Sequence, residues 1–442
     1  MFLAFNFILF FTNVSAEEPN KNQPNASCSD VTSTTTPVTQ SQQAQQTTQP
    51  AAEEKKVVDE KKAECRSSGL KTPFTIKFDN GTSFTIYGKL DMLTYYDTTS
   101  MYISDWYVYV LPKGTYEGER NSFSMSARGS SFGFKFNFPK ALSGGDINAK
   151  IEMDFVGGFI TSAMATYSPL ARMRHAYISW DKEHFSLLLG QSSLVFAPLS
   201  PDTGTWIVMG TSGNPWMRLP QIRLTTIYNP WKFEFSIARP MGATQTVTDS
   251  VNDIINEGEQ SQVPYTIGRF SYSKGIISTG ISGVYGTKRI HRVDAVAGIN
   301  VNKTLNSWMT AYDLKLTTKY IDFQGEAFGG SNLNSFFAGI MQGVNTDSSN
   351  AWPIRTIGGW GQFTYKPIKK LYFNVGAGID DPKNSDLTAT QRSYNTTVFG
   401  NINYKLTDNW TVSAEPVYIR TGYINGTTNQ NLRALLRTNF VF

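Results

Sequence analysis

A chain of 442 residues is long enough for one large domain or two to three ordinary ones. Charged residues are only 17% and hydrophobic residues 40%, with 29 Phe, 21 Tyr, 9 Trp and 36 Gly. No apolar run reaches the roughly 18 residues of a membrane helix, and this aromatic, glycine-rich composition excludes a disordered chain or a helical bundle. What remains is a large all-β protein, either secreted or a membrane barrel.

The net charge of +5 is uneven. Residues 17–70 carry eight acidic and six basic side chains, leaving 27 acidic and 34 basic in 71–442, a surplus of seven. These basic residues are scattered rather than clustered, so no nucleic-acid partner is expected. In an aqueous lumen the same surplus biases ions toward anions.

Residues 1–11, MFLAFNFILFF, form an apolar run of signal-peptide length, and Val14-Ser15-Ala16 supplies small residues for cleavage before Glu17. No Lys or Arg precedes the run. Residues 1–16 therefore read as a signal peptide. Residues 17–70 read as a spacer: a Thr/Gln/Ser/Pro-rich stretch that cannot offset its chain entropy, then AEEKKVVDEKKAECR, suited to a short charged helix. Both cysteines, Cys28 and Cys65, lie here, and an exported chain can oxidise them. No Cys/His metal spacing occurs, and no cofactor is expected.

From about residue 82 the pattern has period two. Ile147, Ala149, Ile151, Met153 and Phe155 alternate with Asn148, Lys150, Glu152 and Asp154. Leu432, Ala434, Leu436, Phe440 and Phe442 alternate with Arg433, Arg437 and Asn439. Such alternation is a strand with one apolar and one polar face. Candidate strands fall near 83–96, 121–138, 146–156, 171–180, 184–192, 221–228, 231–239, 264–273, 276–286, 293–302, 308–318, 319–328, 355–366, 370–379, 393–405, 409–421 and 430–442. That is seventeen; single-chain bacterial barrels use even numbers, so about sixteen strands are expected.

Three features favour a transmembrane antiparallel β-barrel over 71–442. The strands match a tilted membrane crossing, the apolar faces are nearly free of charge, and aromatic residues bracket short turns. Those turns are Trp180-DKEH-Phe185, Tyr228-Asn229-Pro230-Trp231, Tyr272-SKG-Ile276, Tyr365-KPIKK-Leu371 and Tyr404-KLTDN-Trp410. Amphipathic rings sit best at a water–lipid boundary. Long polar segments such as 241–262 and 329–354 alternate with the turns, as in outer-membrane barrels. The alternative is a secreted or surface all-β protein that binds or cleaves carbohydrate, which would need two carboxylates in one cleft but not charge-free outward faces. Enzymatic signals are weak: His175, His184 and His291 show no metal spacing, and His175 is expected at a lipid boundary or a subunit interface.

Arg172 and Arg174 lie two apart on one strand, so both guanidinium groups point the same way, into the lumen. Arg223 shares the polar face of its strand with Gln221 and Thr225. Glu152 and Asp154, with Lys150, are expected on an opposed wall, giving a transverse field that orients polar solutes. Segment 192–219, with Trp206, Trp216 and Arg218, is long and Gly/Pro-rich and follows the fifth strand. It is a candidate constriction loop; an ordinary surface loop is the other reading. Its indoles beside arginine would suit a flat anion.

Four motifs occur in order: Lys150-Ile151-Glu152-Met153-Asp154-Phe155-Val156-Gly157-Gly158, Arg172-Met173-Arg174-His175-Ala176-Tyr177, Leu189-Gly190-Gln191 and Pro220-Gln221-Ile222-Arg223-Leu224. Over roughly 146–226 the chain resembles the DcaP-like trimeric porins of Gram-negative bacteria. The terminal Phe442 on an amphipathic strand resembles the signal those families present to the barrel-assembly machinery. The resemblance implies a homotrimer of sixteen-stranded barrels in outer-membrane lipid, with a periplasmic N-terminal extension. It also implies diffusion of small anionic solutes, including dicarboxylates.

Overall fold

In a barrel wall one residue thick, each side chain faces either lumen or lipid, and period two is the natural outcome. The computed structural model describes residues 73–157, 169–206, 208–242, 256–294 and 298–442. The proposed signal peptide, the spacer and both cysteines lie outside them.

Sixteen wall strands close on themselves. They are β1 (Ser83–Asp97), β2 (Ser122–Ser126 continued by Ser131–Leu142), β3 (Gly145–Gly157), β4 (Leu170–Lys182), β5 (Phe185–Ser193), β6 (Arg218–Tyr228), β7 (Trp231–Ala238) and β8 (Tyr265–Lys274). Then follow β9 (Ile277–Asp294), β10 (Ile299–Thr317), β11 (Ile321–Ser331), β12 (Arg355–Ile368), β13 (Leu371–Pro382), β14 (Arg392–Lys405), β15 (Trp410–Tyr423) and β16 (Thr428–Val441). Each pairs antiparallel with its neighbour, and β16 closes on β1 from Val441 opposite Lys89 to Arg433 opposite Asp97. Phe442 then exchanges both backbone hydrogen bonds with Gly88, at 2.8 and 2.9 Å. A short strand, Phe74–Lys77, pairs with Ser83–Ile86 at the start of β1.

The seventeenth candidate strand is corrected. Segment 293–302 is not a wall strand of its own. Its described residues belong to one long hairpin, Ile277–Asp294 against Ile299–Thr317, paired without a break in register. The pattern continues past the length of a membrane crossing, so two long strands resemble three ordinary ones.

The outward face is apolar. Leu90, Ile151, Leu189, Ile222, Phe233, Phe235, Ile281, Ile357, Phe363, Val375 and Val398 are all exposed there. At the turn end, Tyr228, Trp231, Tyr365, Tyr404 and Trp410 stand exposed on the surface. Trp231 stacks on Phe270 with centroids 5.0 Å apart. Tyr96, Tyr285, Trp308 and Tyr418 stand exposed on the same face toward the loop end. Two aromatic bands flanking an apolar zone are what a bilayer demands of a barrel, since hydrocarbon satisfies no open strand edge.

The loops are unequal. Turns such as 143–144, 183–184 and 229–230 join strands at one end. At the other end lie L1 (98–121), L3 (194–217) and L6 (332–354), with short 3-10 turns at Ser104–Trp106, Asn334–Phe336 and Gly339–Met341. All three contribute buried residues: Trp106, Tyr107 and Val108 from L1, Met209 from L3, and Leu333, Phe336 and Ile340 from L6.

Candidate functional site: the lumen and its basic wall

L3 leaves β5 at Ser193 and returns at Arg218, so Arg218 opens β6 opposite Ser193 instead of hanging in the loop. Between these points L3 crosses to the far wall. Leu199 N–H donates to Glu326 Oε1 at 2.6 Å, Asp202 N–H to Gln362 Oε1 at 2.7 Å and Gly204 N–H to Glu415 Oε2 at 2.7 Å. Gly213 has φ +92°, and a Cβ there would lie 2.1 Å from the Gly359 carbonyl oxygen, so only glycine fits this crossing. On the near side Trp206 packs into the interruption of β2. A Cβ on Gly129 would lie 2.1 Å from its Nε1. The segment 192–219 therefore contains a loop folded into the barrel, not one lying on its surface.

Below L3 lies a cavity of about 890 Å³ that reaches Asn229, Pro230 and Trp231 at the turn end. Among the described residues, eight Lys and Arg line it, against four Asp and Glu. The cations are Lys89, Arg172, Arg174, Arg218, Arg223, Lys232, Arg269 and Arg437; the carboxylates are Asp154, Asp202, Glu234 and Asp313.

Their pairing divides them. Arg172 grips Asp154 with two bonds of 3.0 and 2.7 Å. Arg174 bridges Glu152 at 2.6 Å and Asp154 at 2.9 Å. Lys150 reaches Glu152 at 2.9 Å, and the Tyr87 hydroxyl donates to the same carboxylate at 2.8 Å. Lys150 and Glu152 sit in the wall beside the cavity, outside its lining. On the opposite side of β1, Arg437 holds Asp91 with bonds of 2.8 and 2.7 Å, joined by Lys89 at 2.7 Å. Arg269 pairs with Asp313, and Lys232 with Glu234 at 2.8 Å.

Arg218 and Arg223 differ. Neither has a carboxylate within ion-pair distance among the described residues. Arg223 donates to the Ser193 carbonyl at 3.4 Å. Arg218 lies 5.1 Å from the Trp216 ring centre, and its Nε finds no hydrogen-bond partner among the described residues. Burial also raises the Asp202 carboxyl above its ordinary range, on L3 at the cavity edge.

Two expectations are corrected. Glu152 and Asp154 do not face the arginines across the lumen. They lie on β3 beside β4, with Asp154 in register with Arg172, so this set neutralises itself and sets up no transverse field. His175 faces neither lipid nor a partner subunit. Glu152 opposes His175 while Met153 opposes Met173, making Arg174 the extra residue of a β-bulge. The bulge turns Arg174 and His175 both toward the lumen, where the His175 ring lies 3.3 Å from Ser192 Oγ. Trp206 and Trp216 both line the cavity, and each is also packed by its neighbours: Trp206 in the Gly129 notch, Trp216 stacked on Phe337 at 4.8 Å. They position L3 and Arg218.

Gly129-Ser130-Ser131-Phe132-Gly133 matches a hydrolase elbow by letters alone. Ser131 opens the strand Ser131–Leu142, whereas an elbow needs a strand-to-helix turn.

No protein-family model and no curated protein matches the chain. Solved structures do. The outer membrane channel DcaP of Acinetobacter baumannii aligns over 83% of this chain and 99% of its own, with TM-score 0.68 at 16% identity. The chain has the fold of the outer-membrane porins. The anion-selective porin from Comamonas acidovorans covers 82% of this chain and 100% of its own, with TM-score 0.55 at 12% identity. OmpT of Vibrio cholerae, in a trimer form, covers 82% and 99%, with TM-score 0.50 at 11% identity.

Within this porin fold, sequence reasoning found Arg172, Arg174, Arg218 and Arg223 but passed over Lys89, Lys232, Arg269, Arg437 and Asp202. The strand cations among these obey the same alternation, so parity alone would have placed them inward. Asp202 carried no such signal, because it sits on a loop.

Proposed function

We propose that residues 71–442 form an outer-membrane porin, a water-filled channel for passive diffusion of small hydrophilic solutes with a preference for anions. One observation carries the anion preference: among the described residues, eight cations against four carboxylates line the cavity, and Arg218 and Arg223 have no carboxylate within ion-pair distance. Fixed positive charge in a narrow, low-dielectric passage concentrates anions there, and guanidinium groups bind carboxylates through two parallel bonds. Small organic acids, including dicarboxylates, are the solutes this chemistry fits. The porin fold and the aromatic bands support the outer-membrane location.

The same proposal assigns residues 1–16 to export and 17–70 to a periplasmic extension. It includes a homotrimer and recognition of Phe442 by the assembly machinery. The test is conductance of the purified protein in planar bilayers under a salt gradient. Three conductance steps per particle and a reversal potential of anion-selective sign are expected. A cation-selective sign overturns the anion preference, and absence of channels overturns the porin reading.

A further inference from the structure

The loop-end half of the β13–β16 wall is not open lumen. L1 and L6 contribute no residue to the cavity lining; L3 bounds the cavity, and the other two loops pack behind it. Trp216 N–H of L3 donates to the Phe336 carbonyl of L6 at 3.0 Å. Met209 N–H of L3 donates to the Tyr107 hydroxyl of L1 at 2.6 Å, and the Thr211 hydroxyl to the Val108 carbonyl at 2.9 Å.

All three loops converge on two wall residues that face each other in register, Asp380 of β13 and Asn395 of β14. Both are fully buried. Asp380 accepts from Gly213 N–H of L3 at 2.8 Å with one oxygen and from Ile340 N–H of L6 at 3.2 Å with the other. The Asn395 amide reaches the Val108 carbonyl of L1 at 2.9 Å and, on L3, Ser212 Oγ at 2.9 Å and the Thr211 carbonyl at 3.3 Å. Its carbonyl accepts from Thr421, whose hydroxyl also takes Val110 N–H of L1 at 2.9 Å. No described cation forms an ion pair with Asp380. The carboxylate is committed to loop amides.

Backbone strain gathers in the same loops. Of the twelve described non-glycine residues with positive φ, eight lie in them: Ile103 and Tyr107, Ala197 and Met209, and Asn332, Phe337, Ile340 and Met341. Such conformations persist only where surrounding contacts over-determine them, and they cluster in segments with a second accessible arrangement. Ile340, at φ 53° and ψ 42°, is itself held by Asp380.

We infer that L1, L3 and L6 form one removable plug, a gate at the loop end, and that the Asp380–Asn395 pair is the clasp that fastens it. This rests on the porin reading. Releasing the clasp frees anchor points on all three loops at once, lets the strained residues relax, and widens the passage. Because the two residues hold one body, their effects are coupled.

The experiment compares single-channel conductance and exclusion of graded neutral polymers for wild type, Asp380→Ala, Asn395→Ala and the double variant. Glu415→Ala, which of the three loops unties only L3, at Gly204, and otherwise loses a wall bond to Asn401, is the reference. Each clasp variant is expected to raise conductance about twofold and admit larger polymers, the double variant adding little, with Glu415→Ala changing less. Folded, heat-modifiable clasp variants with wild-type conductance and cut-off overturn the inference.

A second measurement does not depend on those variants folding. The Thr397 hydroxyl donates to Ser212 Oγ at 2.8 Å, so Thr397→Cys with Ser212→Cys can be oxidised to tie L3 to β14. The tie should abolish full-opening transitions until a reductant is added. Transitions unaffected by the cross-link also overturn the inference. A wild-type protein that forms no channel defeats the porin reading instead.

Discussion

Replacing Arg218 and Arg223 with alanine removes two of the eight cations lining the cavity and touches no ion pair among the described residues. Four surplus charges in about 890 Å³ amount to a fixed charge on the order of 7 M, far above any physiological salt. Where fixed charge exceeds bath salt, electroneutrality makes the anion-to-cation ratio vary roughly as its square, so halving the surplus lowers the preference about fourfold. The assay is reversal potential under a salt gradient near molar concentration, where the preference is not saturated. The control is Arg172→Ala with Asp154→Ala, which removes a matched pair and leaves the surplus unchanged. Wild-type anion selectivity, a shift toward cations in Arg218→Ala with Arg223→Ala, and an unmoved control are expected. If the arginine variant keeps the wild-type reversal potential, or if the control moves as far, lining charge does not set selectivity.

Arg172→Ala alone leaves the buried Asp154 with Arg174 as its one paired cation and Val156 N–H as its other donor, and should cost about 1–3 kcal/mol of stability. Thermal unfolding in detergent checks this, and a wild-type melting point refutes it. A chain with its signal joined near Gly69 should still insert and run at different gel positions unheated and boiled, since 17–70 is too polar to join the wall. Loss of trimers in that chain would give the charged segment 53–66 an oligomerising role. In the loop between β13 and β14, the Asp386 carboxyl is held below its ordinary range by Arg355 of β12 through bonds of 2.7 and 2.5 Å. A carboxyl lowered in the native state stabilises fully above the ordinary value of about 4 and loses that contribution as pH falls through its lowered value. Loop 383–391 should therefore resist protease at pH 5 and yield only in stronger acid. Asp386→Asn should yield at neutral pH; equal nicking of both proteins at neutral pH refutes the tie.

The sequence by itself determined the wall. With one face toward lipid and one toward water, each strand residue had to be apolar or polar by parity, and that period was readable without neighbours. Arg172, Arg174 and Arg223 were placed inward on this ground alone, and the aromatic-bracketed turns marked the membrane boundary. Parity failed at His175, where a bulge inserts one residue and brings His175 inward beside Arg174, because a bulge is set by pairing with β3. It failed again at 277–317, where strands outlast the membrane and one hairpin looked like three strands. Only the tertiary structure decided which charges cancel, since Asp154 meets Arg172 through the register of two strands. It alone placed L1, L3 and L6 inside the barrel. Their residues carry no period, and their positions follow from single distant contacts such as Gly213 with Asp380 and Val108 with Asn395, which no local pattern encodes.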